Sequence, residues 1–134
     1  MATSPPPGRL GSGFFDPEVL RSKTILIIED EPLIALDLHG ALAAAGAGVI
    51  AATDTLEALR LIRRNEVSAA IVDVNLGNEN CLAVCQALFH RSIPFLFYTG
   101  QRGSDALKAW PETPVFFKPT PSATIIDRLG QLMK

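Results

Sequence analysis

Five short apolar runs alternate along this chain with segments whose apolar residues recur at helical spacing. Short apolar runs between turn signals are typical of strands that are buried on both faces, as in a parallel sheet. Strands that alternate with helices imply right-handed crossovers and helices on both faces of one sheet. The sequence therefore predicts an α/β fold with a doubly wound, five-stranded parallel sheet. The predicted strands cover residues 24–28, 49–52, 69–73, 93–98 and 115–117.

The segments between these runs carry helix start and stop signals. Pro32 and Pro121 can each open a helix, and Gly46 can close the first of these. Asp54 and Glu57 have the spacing of a capping box, with Asp in the capping role. We expect helices near 32–45, 54–65, 81–90 and 121–132, and at most a short one within 104–110.

Residues 1–22 are predicted to form a flexible tail, and the folded domain is predicted to span 23–134. The first 13 residues are rich in Pro, Gly and Ser, which is typical of a passive linker. Within the tail, Asp16 is a candidate N-cap for a short helix over 16–22, with Pro17 at the first helical position. Phe15 and Leu20 then occupy the two positions of a hydrophobic staple.

Composition and missing motifs exclude several functions. The net charge is −2 and there is no long basic run, so nucleic-acid binding has no electrostatic support. No Gly-x-Gly-x-x-Gly or Gly-Lys-Ser/Thr phosphate loop is present. Cys81 and Cys85, without partner ligands, are expected in a helix core rather than at a metal. The sequence has neither a run of membrane-helix length nor a secretion signal, so we expect a cytoplasmic protein without membrane contact.

Acidic residues converge at the predicted carboxyl ends of two strands. Glu29 and Asp30 follow the first strand and Asp73 follows the third. In the flavodoxin-like order 2-1-3-4-5 these strands are neighbours, and ligands bind outside such strand ends. Carboxylates about 4 Å apart repel by about 4 kcal/mol at an effective dielectric of about 20. The pocket therefore needs a cation or a proton, and oxygen ligands without His or Cys favour Mg²⁺.

The remaining strand ends complete a candidate site for phosphoryl transfer. Thr99 ends the fourth run and Lys118 follows the fifth. Phosphoryl transfer depends on positioning and on neutralising charge on the phosphoryl oxygens, which a metal, an ammonium group and a hydroxyl can share. Asp73 is the one carboxylate separated in sequence from the acidic cluster, so it is the candidate nucleophile, and carboxylates do form aspartyl phosphates.

Together these residues resemble the receiver domain of two-component response regulators, over about residues 23–134. The resemblance is carried by the apolar strand, acidic pair and Glu-Pro of residues 25–32, by Asp73, by Thr99 and by Lys118-Pro119. It implies the strand order given above. It also implies a phosphoryl group received on Asp73 from the phosphohistidine of a sensor histidine kinase or a phosphotransfer protein.

The same resemblance implies roles at the metal. Asp30, Asp73 and the backbone carbonyl of Asn75 would bind Mg²⁺, or Mn²⁺ in its place, and Glu29 would act mainly through water. Lys118 would bind the phosphoryl group, and its peptide bond to Pro119 is expected to be cis. His39 and His90, on predicted helices, are not expected to carry phosphate.

Two departures from the family pattern concern switching. Val115 stands where many members carry a switch Tyr or Phe. Residues 94–100, Pro-Phe-Leu-Phe-Tyr-Thr-Gly, resemble the Pro-Phe-x-Phe-Ala-Thr-Gly signature of an atypical subgroup found in alphaproteobacteria. In that subgroup the fourth helix tends to be short or mobile. We therefore expect switching through the loop after Thr99 and through residues 101–113.

The expected function is that of a single-domain response regulator that signals to an unknown downstream protein or drains phosphate from a kinase. It would catalyse only its own phosphorylation and dephosphorylation, as a monomer or weak homodimer. One alternative is a receiver-like scaffold that works without phosphorylation. Another is a phosphatase with Asp73 as nucleophile, like the haloacid dehalogenase superfamily, but Asn75 stands where that motif has a second Asp.

Overall fold

The computed structural model describes residues 17–77 and 79–134, which form strands and helices in alternation. The helices are α1 Pro17–Leu20, α2 Pro32–Ala44, α3 Thr55–Arg64, α4 Leu82–His90, α5 Asp105–Ala109 and α6 Ser122–Leu132. The strands are β1 Thr24–Ile28, β2 Gly48–Ala52, β3 Ala69–Val72, β4 Asn75–Leu76, β5 Glu79–Asn80, β6 Phe95–Thr99 and β7 Val115–Phe117.

Five of these strands form one parallel sheet in the order β2-β1-β3-β6-β7. β4 and β5 pair separately as a small antiparallel hairpin. The strands predicted as fourth and fifth are thus β6 and β7, and the predicted fold and the order 2-1-3-4-5 are confirmed. The hairpin was predicted only as a loop, because two-residue strands leave no periodic signal in the sequence.

Side chains of the sheet contribute to two separate hydrophobic cores, one on each face. Alternate residues of a strand point to opposite faces, so β1 and β3 supply both cores. One core lies against α3 and α4 and includes Leu26, Ile28, Ala70 and Val72. The other lies against α2 and α6 and includes Ile25, Ile27, Ala69 and Ile71. Burial on both faces explains why these strands read as continuous apolar runs.

The helix ends predicted from capping residues, Pro and Gly agree with most of the observed helix ends. The backbone N–H of Glu57 donates to Asp54 Oδ1 at 2.8 Å, which confirms the predicted cap of α3. α5 is short, and Ser104 Oγ accepts from two backbone N–H groups at its start. Gly46 follows α2 with a positive φ of 94°, a conformation that glycine adopts without strain.

Some predicted strand ends were wrong by one or two residues. The run predicted at 93–98 forms a strand only from Phe95, because Pro94 has no N–H to donate to the ladder. β3 ends at Val72 rather than Asp73. Asp73 therefore lies just beyond the end of β3, at the carboxyl edge of the sheet.

The short helix α1 connects the N-terminal region to the core. Leu20 at its end is fully buried and packs with Leu38, Leu42 and Leu129. The predicted cap Asp16, the staple residue Phe15 and the tail residues before them lie outside the described residues, whereas residues 17–22 of the predicted tail are described and include α1. Within the described part of the chain, no helix has the length and hydropathy to span a membrane.

Leu20→Ala is expected to lower the free energy of unfolding by about 3 kcal/mol, because it removes fully buried methyl groups. Leu36→Ala is the matched control: Leu36 is 66% exposed, and its loss is expected to change stability by less than about 0.5 kcal/mol. Urea denaturation measures both. Equal, small effects would show that α1 does not pack on the domain in solution.

Candidate functional site

Glu29 and Asp73 lie side by side at the carboxyl edge of the sheet. Their strands pair in register, residues 25–28 of β1 with 69–72 of β3. The pairing continues past the strands: the N–H of Asp73 donates to the carbonyl of Ile28 at 2.9 Å, and the N–H of Glu29 to that of Ala52 at 3.0 Å. The main chain of both residues is therefore fixed at the edge of the sheet, and only 3% of Glu29 and 4% of Asp73 is exposed.

Asp30 completes an oxygen cluster with these two residues. One carboxylate oxygen from each of Glu29, Asp30 and Asp73 can be chosen so that all three lie within 4.8 Å of one another. Asn75 lies beside them, because its backbone N–H donates to Asp73 Oδ1 at 3.1 Å. A cluster of carboxylate oxygens without nitrogen or sulfur suits a hard cation such as Mg²⁺. The residues present thus fit the predicted metal.

Lys118 reaches this cluster from the end of β7. Its Nζ lies 2.7 Å from Glu31 Oε1, 2.9 Å from Asp73 Oδ2 and 3.0 Å from Glu29 Oε1. The backbone N–H of Lys118 donates to the carbonyl of Thr99 at 2.9 Å, which fixes the main chain of Lys118 beside β6. The peptide bond to Pro119 is cis, as the resemblance implied. Lys118 thus places a positive charge among three carboxylates.

Thr99 closes the other side of the site. It is the last residue of β6 and is fully buried, and its Oγ1 accepts a hydrogen bond from the N–H of Gln101 at 3.1 Å. A cleft of about 560 Å³ opens between these groups. Its lining includes Asp30, Glu31, Asp73, Asn75, Thr99 and Lys118.

Burial and hydrogen bonding shift the pKa values of two residues in this cluster. Burial raises the pKa of Glu29 to about 7, against the opposing hydrogen bond from Lys118. Burial by itself lowers the pKa of Lys118, but hydrogen bonds to Glu31, Asp73 and Glu29 outweigh it and raise that pKa overall. A buried carboxyl that holds its proton so strongly beside an ammonium group would gain from a further cation.

Two contacts at the site were not predicted from the sequence. The sequence indicated Glu31 only as part of the Glu-Pro pair within residues 25–32, yet it makes the shortest contact to Lys118. Arg102, in the loop after β6, stacks its guanidinium over the Phe117 ring, with 3.8 Å between Cζ and the ring centroid. Neither contact follows from spacing, since each joins residues that are distant in sequence.

Comparisons of this chain with known proteins agree with the resemblance found in the sequence. Residues 25–126 match the family described as the response regulator receiver domain. Among solved structures, SdrG from Sphingomonas melonis Fr1 is 37% identical to this chain with a TM-score of 0.70, and the match covers 84% of this chain and 98% of SdrG. No curated protein matches the sequence.

Two further similar structures contain a phosphorylated aspartic acid or a bound metal ion. A response regulator from Burkholderia pseudomallei, with a phosphorylated aspartic acid, a calcium ion and citrate, is 25% identical with a TM-score of 0.70; the match covers 81% of this chain and 66% of that one. The receiver domain of the sensor histidine kinase PA1611 from Pseudomonas aeruginosa PAO1, with magnesium coordinated in its active-site cleft, is 20% identical with a TM-score of 0.68. That match covers 84% of this chain and 98% of the other.

Proposed function

This chain belongs to the response regulator receiver domain family, and from that premise we propose that it accepts a phosphoryl group on Asp73. The donor is the phosphohistidine of a sensor histidine kinase or of a phosphotransfer protein. The observation that carries the proposal is the position of the Asp73 carboxylate, which is buried, belongs to the oxygen cluster with Glu29 and Asp30, and contacts the ammonium group of Lys118. The Burkholderia pseudomallei relative, which carries a phosphorylated aspartic acid, supports it.

In the proposed reaction, Asp73 is the nucleophile. One of its carboxylate oxygens forms a bond to phosphorus while the bond between phosphorus and the donor imidazole nitrogen breaks. The electron pair of the broken bond stays on the imidazole nitrogen, which takes up a proton from water. Hydrogen bonds from Lys118 Nζ and from the N–H of Asn75 hold the carboxylate in place before the transfer.

The proposed metal ligands are Asp30, Asp73 and the backbone carbonyl of Asn75, with Glu29 acting through water. Mg²⁺ or Mn²⁺ held by these residues would supply positive charge that offsets the negative charge of the phosphoryl group. The magnesium reported in the cleft of the PA1611 receiver domain supports this assignment. Within the chain, the cluster of carboxylate oxygens from Glu29, Asp30 and Asp73 supports it as well.

Lys118 and Thr99 are proposed to bind the other phosphoryl oxygens. Lys118 Nζ already lies 2.9 Å from Asp73 Oδ2, so it is within reach of a group attached to that carboxylate. Thr99 is buried at the end of β6 on the same edge of the sheet, and its hydroxyl can donate a hydrogen bond. Three phosphoryl oxygens then have three partners: the metal, an ammonium group and a hydroxyl.

Incubation with acetyl phosphate and Mg²⁺ is expected to add one phosphoryl group to the protein, as measured by intact-mass spectrometry. The adduct should be absent in Asp73→Asn and in the absence of Mg²⁺. Asp37→Asn, which removes an exposed carboxylate on α2, is the control and should still form the adduct. Absence of any adduct in folded protein, together with no binding of beryllofluoride, would favour a scaffold that works without phosphorylation. Sustained turnover of a small phosphoester would favour a phosphatase.

We also propose that the chain belongs to the atypical subgroup suggested by residues 94–100 and switches through residues 101–113. The usual aromatic position is held by the half-buried Val115, which has no ring to rotate. The loop after Thr99 is instead tied to β7 by the stacking of Arg102 on Phe117, immediately before Lys118. A shift of Lys118 toward a phosphoryl group would disturb this stacking, and the signal would then pass to a downstream protein.

Hydrogen exchange with mass spectrometry is expected to show the largest change over residues 101–113 when Mg²⁺ and beryllofluoride are added, since this segment contains only the short helix α5 and loops. β2, at the far edge of the sheet, is the internal control and is expected to change little. A response centred on β2 and α3, with residues 101–113 unchanged, would contradict the proposed switch.

A further inference from the structure

All three N–H donors of the Lys118 ammonium group can be engaged by carboxylates. It has three N–H donors, and it contacts three carboxylates, those of Glu29, Glu31 and Asp73. For Lys118 to donate to a phosphoryl oxygen on Asp73, one of these contacts must be given up. The site therefore contains a competition between a resident carboxylate and the incoming phosphoryl group.

Exposure decides which contact is released. The side chains of Glu29 and Asp73 are 2% and 5% exposed, whereas that of Glu31 is 59% exposed. A buried carboxylate that loses its partner is left desolvated, which is costly, but an exposed one returns to water. Asp73 loses its negative charge when it becomes an acyl phosphate, so of the two carboxylates that keep theirs, Glu31 is the one that Lys118 can release most easily.

The backbone of Glu31 holds its side chain next to Lys118. Glu31 is the N-cap residue of α2, its carbonyl accepts from the N–H of Ala35 at 3.0 Å, and its own N–H donates to Glu29 Oε2 at 3.1 Å. Pro32 follows directly and restricts the backbone further. The carboxylate therefore projects from a fixed point on the rim of the cleft.

We propose that Glu31 is a positioning residue that holds Lys118 in the unphosphorylated protein and is exchanged for the phosphoryl group when Asp73 is modified. This proposal rests on the function proposed above. Glu31 sets how readily Lys118 becomes available, and so the balance between the unphosphorylated and phosphorylated states. It does not bind the metal or the phosphoryl group itself.

Glu31→Gln keeps the shape of the side chain but removes its charge, so Lys118 should transfer more easily to a phosphoryl mimic. Because a half-exposed ion pair is weak, the expected gain in beryllofluoride affinity at saturating Mg²⁺ is about two- to fivefold. Isothermal titration calorimetry measures it. Glu57→Gln is the matched control: it removes the same charge from another exposed ion pair, to Arg60 at 2.7 Å, and should leave the affinity unchanged.

A second measurement follows Lys118 directly, by NMR of the lysine ¹³Cε resonances, assigned with Lys118→Arg. In the protein without beryllofluoride, Glu31→Gln should shift the Lys118 signal, because the carboxylate contact is lost. In the beryllofluoride complex the Lys118 signals of the two proteins should coincide, because neither retains that contact. A purely structural role of Glu31 would not produce this difference between the two states.

The possible outcomes separate this proposal from the proposed function. If both proteins bind beryllofluoride with equal affinity, or if Glu57→Gln has the same effect as Glu31→Gln, the role of Glu31 is overturned and the phosphoacceptor function stands. A Lys118 signal that still differs between the two proteins in the complex would also overturn the exchange. If neither protein binds beryllofluoride, the proposed function itself fails.

Discussion

The ion-pair network between Lys118 and three carboxylates determines how this site is built. Glu29 and Asp73 are almost completely buried, and two negative charges at such a place repel each other. The ammonium group of Lys118, at about 3 Å from each, offsets part of that cost. Burial raises the pKa of Glu29 to about 7 despite the hydrogen bond from Lys118, so the ammonium group does not fully offset the desolvation of this carboxylate. The site is therefore suited to a further cation near its carboxylates.

The architecture of the sheet explains how these charges come together. A parallel sheet brings the carboxyl ends of all its strands to one edge, and the order β2-β1-β3-β6-β7 puts β1 beside β3 at the centre. Buried apolar side chains on both faces fix the register, and the register fixes Glu29 beside Asp73. β6 and β7 then bring Thr99 and Lys118 to the same edge. The apolar cores thus position the polar site without taking part in its chemistry.

Much of this could be predicted from the sequence because it depends on local patterns. Apolar runs between helical segments predicted the sheet, and the polar residues that follow each run predicted which side chains would meet. Glu29, Asp30, Asp73, Thr99 and Lys118 are brought to one cleft or its wall, whereas their chemical roles stay predictions. The cis peptide bond after Lys118 followed from the family resemblance alone.

The contacts that local patterns did not reveal depend on the reach of long side chains in three dimensions. Glu31 and Lys118 are 87 residues apart, and their contact exists only because α2 begins beside the end of β7. The stacking of Arg102 on Phe117 depends likewise on the path of the loop after β6. The hairpin of β4 and β5 is too short to leave a pattern. The contacts of Glu31 and Arg102 enter the proposed exchange and the proposed switch, so these proposals could not be derived from local patterns.

The central claim is that Asp73 alone carries the phosphoryl group, and chemical mapping of the modified residue tests it most directly. Borohydride reduces an acyl phosphate to an alcohol, so treatment of protein phosphorylated by acetyl phosphate and Mg²⁺ should convert Asp73 to homoserine. Peptide mass mapping is expected to find homoserine at position 73 and nowhere else. Reduction at Asp30 or Glu29, or stable phosphate on His39 or His90, would contradict the assignment of Asp73 as the phosphoacceptor.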